Sequence, residues 1–385
     1  MWAWVVDRPG SLETDPLAFI ERPMPTPAEH EVRIRVSACA VCRTDLHLAE
    51  GDLPPRRPGV VPGHQVVGYV DARGPDATRF RIGERIGIAW LRGTCGRCRF
   101  CRTGRENLCL SPAFTGWDAD GGYAEYAIAP EAYAYRLPQE FSDEQAAPLL
   151  CAGIVGYRAL RRSALPPAGR LGIYGFGSSA HLATQVALAE GARVHVVTRS
   201  AQGRRRALEL GVASASDPES GPPERLDAAV LFAPSGALVP VALAALERGG
   251  TLAIAGVHLS EIPPLRYAEH LFNERSLVSV TANTRADGEE FLALAARIPI
   301  AVATEPFPLE NAAAALRALA NSDLTGTAVL NVPPDSHPRP DTDEALCAAC
   351  GEPLDDERVA VTRPGDAVAL AYHVACVPPA LDEQT

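Results

Sequence analysis

Four cysteines in one short loop, Cys95-x2-Cys98-x2-Cys101-x7-Cys109, constrain the fold more than any other feature of the chain. The loop is rich in glycine and arginine, and nearby arginines favour the thiolate form of cysteine. Four thiolates complete a tetrahedral shell, so the spacing predicts a structural zinc site. The alternative, four buried free thiols, requires a core that such a loop does not offer. A closed site does no chemistry, so a catalytic metal has to lie elsewhere.

Composition excludes several classes of function. The 385 residues, 47% of them hydrophobic, can fill the cores of two domains. A net charge of -11 argues against a nucleic-acid partner, because binding phosphate needs a concentrated basic surface. The chain contains no lysine, which excludes chemistry that needs a lysine base or Schiff base.

The location of the protein follows from its apolar runs and its cysteines. Met1–Asp7 is predicted to be a strand rather than a signal peptide, and no apolar run reaches the roughly 20 residues of a membrane span. Ten cysteines, several closely spaced and with histidines nearby, favour metal sites over disulfides. We therefore expect a cytoplasmic protein that has neither a membrane nor a nucleic-acid partner.

The hydrophobic pattern changes near residue 146. Residues 1–145 contain short β-rich runs, such as Glu31–Val36, between prolines and glycines, which predicts a strand-rich domain. Residues 146–280 alternate apolar strands with helices, as in a doubly wound parallel sheet, so the overall prediction is an α/β protein. The elements predicted there are the strands Leu171–Gly175, Arg193–Val197, Asp227–Phe232 and Thr251–Ala255 and the helices Ala180–Ala189 and Arg204–Leu210.

A separate small module is predicted at the C-terminus. Residues 332–345 are rich in proline and acidic residues and form a predicted linker. Residues 346–377 are too few to fold by apolar burial alone. They contain a Cys3His ligand set that suits a third zinc ion and a possible protein contact. Its members are Cys347, Cys350, His373 and Cys376. The alternative is an unstructured tail with chance cysteines.

Three further motifs resemble a known family. Cys42-Arg-Thr-Asp-Leu-His47, Pro62-Gly-His64 and Leu150-Cys-Ala-Gly153 flank the four-cysteine loop in the order seen in zinc-containing medium-chain alcohol dehydrogenases. The resemblance covers about residues 1–331. It implies a GroES-like catalytic domain, a Rossmann cofactor domain and a return of residues 281–331 to the catalytic domain. It also implies hydride transfer between NAD(P) and a primary or small apolar alcohol or its aldehyde, in a dimer or tetramer.

The resemblance also assigns the catalytic metal. Carried over residue by residue, the ligands are Cys42, His64 and Cys151, and three protein ligands leave a fourth position open. For each of these three residues, the alternative interpretation is an isolated buried cysteine or histidine that binds no metal. The four-cysteine loop then holds a second zinc ion.

Neighbours of these ligands match the proton relay of the family. Thr44 lies next to the reacting oxygen, His47 exchanges the proton with solvent, and Asp45 orients the histidine ligand. Thr44 and Asp45 also suit a helix cap, and both roles are compatible. Gln65 departs from the glutamate that is common in the family, which removes a negative charge near the metal.

Cofactor binding is predicted from Gly175-Phe-Gly177-Ser-Ser-Ala180, which follows a strand and opens a helix. At the end of the next strand, Thr198 and Arg199 replace the acidic residue that would bind a ribose 2′-hydroxyl. This favours NADP over NAD, although an arginine-rich helix start is also typical of a solvated surface. The predicted cofactor-binding residues are Gly175, Gly177, Ser178, Ser179, Ala180, Thr198 and Arg199.

Two points remain open in the sequence. Trp90 matches an aromatic residue that lines the family's substrate pocket, but tryptophan after a β-rich run is also typical of a core. Cys39 is expected to be a small buried thiol rather than a ligand.

The competing hypothesis to an active dehydrogenase is a catalytically weak scaffold that uses the tail module to bind a partner.

Overall fold

The computed structural model describes residues 1–256 and 258–333, together with the backbone at 358–361 and 370–373. Nine strands belong to the first part of the chain. They are β1 (Trp2–Val6), β2 (Leu17–Glu21), β3 (Glu31–Ala40), β4 (Val66–Arg73), β5 (Arg85–Ile88), β6 (Leu91–Gly93), β7 (Ala113–Phe114), β8 (Tyr126–Pro130) and β9 (Ala134–Arg136). β3 lies at the centre and pairs antiparallel with β4 and β8.

Alternation of side chains places β3 on the core. Val32, Ile34 and Val36 are buried, whereas the intervening charged residues are partly exposed. Because successive side chains of a strand point to opposite faces, this run buries one face of the sheet. The predicted strand-rich domain therefore follows from a two-residue period in the sequence.

The second part of the chain forms a six-stranded parallel sheet. Its strands are β10 (Arg170–Tyr174), β11 (Arg193–Val197), β12 (Ser214–Ser216), β13 (Leu226–Leu231), β14 (Leu246–Ile254) and β15 (Ser276–Ser279). Their order is β12-β11-β10-β13-β14-β15, so the direction of winding reverses between β10 and β13. Ligands of such sheets bind at the carboxyl ends of the strands beside this reversal. The mixed α/β fold with a Rossmann-type sheet is as predicted.

The chain then returns to the first sheet. β16 (Thr304–Pro308) pairs parallel with β17 (Thr327–Asn331), and β17 pairs antiparallel with β3. The first sheet thereby has the order β16-β17-β3-β4-β5-β9, with β8 also on β3.

Helices connect the strands of both sheets. They are α1 (Arg43–Glu50), α2 (Arg99–Arg102), α3 (Asp143–Pro148), α4 (Ile154–Arg162), α5 (Ser178–Ala189), α6 (Ala201–Glu209), α7 (Leu238–Ala245), α8 (Tyr267–His270), α9 (Arg285–Ala295) and α10 (Ala312–Asn321). Short 3-10 helices lie at Leu12–Thr14, Glu106–Leu108, Glu131–Tyr133 and Leu309–Asn311. Among the described residues, no helix is both long and apolar enough to cross a membrane.

Two predicted elements begin three or more residues earlier than expected. α6 begins at Ala201 rather than Arg204, because the Ser200 side chain accepts a hydrogen bond from Gly203 N at 3.0 Å and caps the helix. β14 begins at Leu246 rather than Thr251, because its first residues continue the pairing with β13 across an irregularity in register.

One hydrophobic core joins the two sheets. It contains Ala38 and Val67 of the first sheet together with Val186 and Val196 of the second domain. A second core fills the strand-rich domain, and a third covers the other face of the parallel sheet. A parallel sheet with both faces covered is the usual arrangement, because its strands are apolar on both sides.

At the C-terminus, β18 (Arg358–Val361) and β19 (Leu370–His373) pair antiparallel. Most of the predicted linker lies outside the described residues. The predicted tail ligands outside them are Cys347, Cys350 and Cys376, and of His373 only the backbone is described. The tail zinc site stays a prediction.

Candidate active site

Three separate segments bring Cys42, His64 and Cys151 together. Cys42 follows β3 and is the N-cap of α1, His64 immediately precedes the Gln65 that leads into β4, and Cys151 lies between α3 and α4. One ligand atom from each lies within 4.8 Å of the other two. Two sulfur atoms and one imidazole nitrogen at this spacing suit a zinc ion with an open position.

Cys151 is presented by a π-helical turn, Leu149–Gly153. The Ile154 N–H donates to the Leu149 carbonyl, a five-residue span that widens the helix between α3 and α4. π turns are rare in proteins overall, and many of those that occur lie at functional sites. Here the turn places a cysteine at the metal site without ending the helical segment.

Asp45 organises the ligands around it. Its carboxylate accepts hydrogen bonds from Cys42 N at 2.8 Å, from Gly63 N at 3.0 Å and from the Tyr123 hydroxyl at 3.3 Å. Its Oδ1 also lies 3.3 Å from His64 Nδ1. Gly63 has φ +95°, and a Cβ there would lie 2.4 Å from the Tyr123 ring, so only glycine fits. Asp45 thus orients the imidazole so that Nε2 is left for a metal.

The charges of the ligands prepare the site for a cation. A hydrogen bond from Cys151 holds the pKa of Cys42 well below its usual range, against the effect of burial. That hydrogen bond and burial raise the pKa of Cys151 well above its usual range. Burial lowers the pKa of His64, but Asp45 and Cys42 outweigh it and raise the value to about 10. Thiols and imidazole bind a metal in their deprotonated forms, so a divalent cation at this site would displace protons from them.

The predicted relay residues Thr44 and His47 both lie on α1. They are three residues apart on α1, so they share a face of the helix. Thr44 is buried, and its Oγ1 lies 3.7 Å from Cys42 Sγ. The His47 side chain is 21% exposed, and its Nδ1 lies 3.1 Å from Asp52 Oδ2. Asp52 was not singled out in the sequence, because a lone acidic residue in a loop carries no pattern.

Three aromatic rings, Trp90, Phe114 and Trp117, form a stacked group beside His64, which we call the aromatic wall. The half-buried Trp90 ring packs edge-on against His64 with centroids 4.9 Å apart. Trp90 stacks on Phe114 at 4.8 Å and on Trp117 at 6.0 Å. The Arg56 guanidinium lies 3.7 Å from the Trp117 ring. Sequence reasoning found Trp90 and missed the other members, whose spacing in the chain shows no period.

The four-cysteine loop is also assembled. The ligand atoms of Cys95, Cys98, Cys101 and Cys109 lie within 4.8 Å of one another. Backbone N–H groups donate to sulfur: Cys95 N to Cys109 at 3.2 Å and Cys98 N to Cys95 at 3.4 Å. Hydrogen bonds from the backbone lower the pKa of Cys98 to about 6, whereas burial raises that of Cys101 to about 11. The loop is prepared for thiolate ligands.

A partly buried ion pair, with Glu106 buried and Arg285 partly exposed, anchors this loop to the start of α9. Arg285 donates to Glu106 through Nε at 3.0 Å and Nη2 at 2.8 Å, and its backbone N–H donates at 2.8 Å. Asn107 donates to the Thr281 carbonyl at 2.8 Å. These contacts tie the four-cysteine loop to the segment that follows the parallel sheet.

The predicted cofactor loop lies at the carboxyl end of β10. Gly175 has φ +88°, and a Cβ there would lie 2.7 Å from the Ala233 backbone, which requires glycine. Gly177 and Ser178 are exposed at the N-terminus of α5, where backbone N–H groups and the helix dipole favour an anion. Ser179 and the buried Ala180 continue the helix inward.

The residues after β11 carry positive charge. Arg199 is exposed, and the adjacent Thr198 is buried. Arg204 donates to the carbonyls of both residues, at 2.8 Å and 3.0 Å. The end of the strand is thus lined by guanidinium groups. Arg43, which follows Cys42 directly, is exposed as well, a feature that the sequence reasoning did not use.

Gln65 and Cys39 are buried next to the ligands. Gln65 Nε2 donates to the Ala40 carbonyl at 3.2 Å, and its Oε1 has no hydrogen-bond partner among the described residues. Cys39 is fully buried, and burial raises the pKa of its thiol well above the usual range.

Comparison with known proteins places the chain in a family. Residues 28–139 match the alcohol dehydrogenase GroES-like domain, and residues 180–297 match the zinc-binding dehydrogenase domain. A Mycobacterium tuberculosis protein named probable alcohol dehydrogenase AdhA is 56% identical over 335 residues, which are 86% of this chain and 97% of that protein. An alcohol dehydrogenase of Geobacillus stearothermophilus is 34% identical over 82% of this chain and 96% of its own length.

Comparison with solved structures supports the same family. A cinnamyl alcohol dehydrogenase from Sorghum bicolor has a TM-score of 0.79 at 25% identity, covering 88% of this chain and 99% of that chain. A putative zinc-binding dehydrogenase from Sinorhizobium meliloti bound to NADP has a TM-score of 0.75 at 25% identity, covering 86% and 99%. These relatives do not favour a non-enzymatic scaffold. The chain therefore belongs to the zinc-dependent medium-chain alcohol dehydrogenases, enzymes that exchange a hydride between NAD(P) and an alcohol or aldehyde.

Proposed function

We propose that Cys42, His64 and Cys151 hold the catalytic zinc ion and that the four-cysteine loop holds a structural one. The observation that carries this proposal is the convergence of two sulfur atoms and one imidazole within 4.8 Å. When bound, zinc would supply a Lewis acid that lowers the pKa of the substrate hydroxyl, and a nicotinamide cofactor would supply the hydride acceptor. Asp45 contributes by holding His64 in the orientation that leaves Nε2 for the metal.

In the proposed reaction the chain itself moves one proton. The Thr44 hydroxyl passes the proton of the alcohol on towards His47, which takes it up on a ring nitrogen. The Asp52 carboxylate, 3.1 Å from Nδ1, stabilises the resulting imidazolium. Aldehyde reduction runs the same path in reverse. The burial of Thr44 and the partial exposure of His47 support this order.

The aromatic wall supports a preference for small apolar substrates. Trp90 packs directly against His64, so a substrate next to the metal ligands contacts its ring. Phe114 and Trp117 continue the apolar surface away from the site. A primary alcohol with a short apolar or flat group buries that group on the wall while its oxygen reaches the metal position.

NADP is the proposed cofactor. Arg199 is exposed beside the strand end where an acidic residue would bind a ribose 2′-hydroxyl. A guanidinium at that position pairs with a 2′-phosphate. The binding surface for the pyrophosphate is the exposed N-terminus of α5 at Gly177 and Ser178.

A homo-oligomer, dimer or tetramer, is also proposed. β15 forms one edge of the parallel sheet, and the preceding segment carries two large apolar side chains, Tyr267 and Phe272, that are 66% and 63% exposed. Exposed strand edges and apolar patches are typical of subunit contacts. Sedimentation analysis measures the oligomeric state.

The cysteine-rich metal sites support a cytoplasmic location, and the tail remains a candidate protein contact.

The proposal is tested by measuring zinc per chain together with NADPH- and NADH-dependent aldehyde reduction, in the full chain and in a truncation after Asn331. Three zinc ions falling to two, with turnover retained, are expected. Two ions in both proteins would mean that the tail binds none. In the full chain, Cys42→Ala or His64→Ala is expected to abolish turnover while the four-cysteine site keeps its metal. Full activity in either variant contradicts the assignment of the catalytic zinc.

A further inference from the structure

A second histidine faces the proton path from the other domain. His258 lies in the segment after β14, and its ring centroid is 5.9 Å from that of His47, with the planes inclined by 40°. His47 belongs to α1 of the strand-rich domain, so the two rings meet across the boundary between the domains. At this spacing the two rings are neighbours, within reach of proton transfer either directly or through one water.

The fold holds His258 in place. Ser260, two residues further on, accepts a hydrogen bond from Gly236 N at 2.9 Å and donates its own N–H to the Pro234 carbonyl at 3.3 Å. Leu259 packs against the core on the outer face of the parallel sheet. The segment is therefore anchored just beyond His258, whose side chain is exposed to solvent.

Two titratable side chains flank the His47 ring. Asp52 Oδ2 lies 3.1 Å from Nδ1, and the His258 ring lies on another side. Two imidazolium rings at this distance repel each other, and the one nearby carboxylate balances a single positive charge. His47 therefore has both a carboxylate and a second imidazole within reach.

We propose that His258 is the outer proton-exchange residue of the relay, acting through His47. This rests on the proposed role of His47. Oxidation converts the alcohol and NAD(P)⁺ into the carbonyl compound, NAD(P)H and one proton. His47 receives that proton, His258 takes it from the His47 imidazolium and releases it to water or buffer, and both rings end neutral. During aldehyde reduction His258 takes a proton from solvent and returns it by the same route.

The test compares proton release with hydride transfer in the full-length zinc-loaded enzyme. Stopped-flow mixing with an alcohol and NADP⁺ follows NADPH absorbance and a pH-indicator dye in weakly buffered solution. His258→Ala is expected to slow proton release about tenfold relative to NADPH formation. Added imidazole is expected to restore it to within about twofold by replacing the missing ring. The control is Glu261→Gln, an exposed change in the same segment that leaves both rates unchanged.

A double-mutant cycle separates this role from a structural one. In a His47→Gln background, removing His258 is expected to have no further effect on proton release, because it acts through His47. An unchanged proton release in His258→Ala, an equal loss in both backgrounds, or a loss confined to cofactor affinity would overturn the assignment. A wild-type enzyme that forms no NADPH with any alcohol would contradict the proposed function as well, and is distinguished by the absent absorbance change.

Discussion

Asp45 Oδ1 lies 3.3 Å from His64 Nδ1, and both side chains are almost fully buried, at 2% and 1% exposure. A carboxylate in this position fixes both the rotation of the imidazole and the ring nitrogen that is free. Asp45 also accepts from the Cys42 backbone, so it positions two of the three ligands at once. The proposed metal site therefore depends on a residue that is not one of its proposed ligands.

Replacing Asp45 by asparagine is expected to weaken the catalytic zinc site by roughly 10- to 100-fold in metal affinity. The amide loses the charge that attracts the imidazole and accepts fewer of the converging hydrogen bonds. Chelator titration with zinc analysis measures the loss, and the four-cysteine site is expected to keep its ion. Asp76→Asn, an exposed carboxylate elsewhere, serves as the control. Equal resistance of both sites to chelator in Asp45→Asn would refute the role.

Glu106→Gln is expected to destabilise the enzyme by about 1–3 kcal/mol at pH 7, the usual loss for a charged hydrogen bond. Burial raises the pKa of Glu106, but its hydrogen bonds to Arg285 outweigh this and lower it. The folded state thus binds this proton less readily than the unfolded chain. The stabilisation is present above the ordinary glutamate range and is lost as pH falls through the lowered pKa.

Urea unfolding at neutral and acid pH measures this difference. The gap between wild type and Glu106→Gln is expected to narrow below about pH 4. Glu289→Gln is the matched control, because Glu289 forms an exposed pair with Arg79 that contributes little. A gap that stays constant with pH would mean that the effect is steric rather than ionic.

His181→Gln is expected to reduce the loss of folding stability that occurs as the pH falls into the acid range. Burial, with a smaller contribution from Arg206, lowers the pKa of His181 to about 4. Between about pH 6.5 and 4 the unfolded chain binds a proton that the folded chain does not, so stability falls as pH falls. Glutamine keeps an acceptor for Gln185, which lies 3.3 Å from Nδ1, without the titrating ring. Parallel plots of melting temperature against pH for both proteins would contradict this.

Arg199→Glu is expected to shift cofactor preference from NADPH towards NADH by about tenfold or more, because it replaces attraction to a 2′-phosphate by repulsion. Titration of cofactor fluorescence gives both dissociation constants. Arg193→Gln, an exposed arginine at the opposite end of β11, is the control. Equal affinity of the wild type for both cofactors would end the case for NADP.

The features that could be predicted from the sequence alone are those formed by residues that are close together in the chain. The four-cysteine loop, the glycine turn after β10 and the alternation of strands and helices all show a short repeat or motif. The assignment of Cys42, His64 and Cys151 needed the family resemblance, since the three lie far apart in the chain. Tertiary packing alone brings Trp117 to Trp90, so no pattern predicted that contact.

His258 illustrates the same limit. A lone histidine after a strand carries no signal until the second domain is placed against α1. The early start of α6 was missed for a local reason, because the predicted helix began at Arg204 although the Ser200 side chain caps a helix that begins at Ala201. The boundary error at α6 thus comes from capping, the one at β14 from strand pairing, and the missed contact of His258 from the arrangement of domains.

The π turn at Leu149–Gly153 has a consequence for how this site tolerates insertions and deletions. A π turn holds one residue more than an α turn, and each residue of an α-helix rotates the chain by about 100°. Deleting one residue from the turn would let α3 and α4 merge into a regular helix while turning Cys151 away from Cys42 and His64. A regular helix here and the convergence of the three side chains are therefore competing requirements, so we expect this segment to tolerate a change of length poorly.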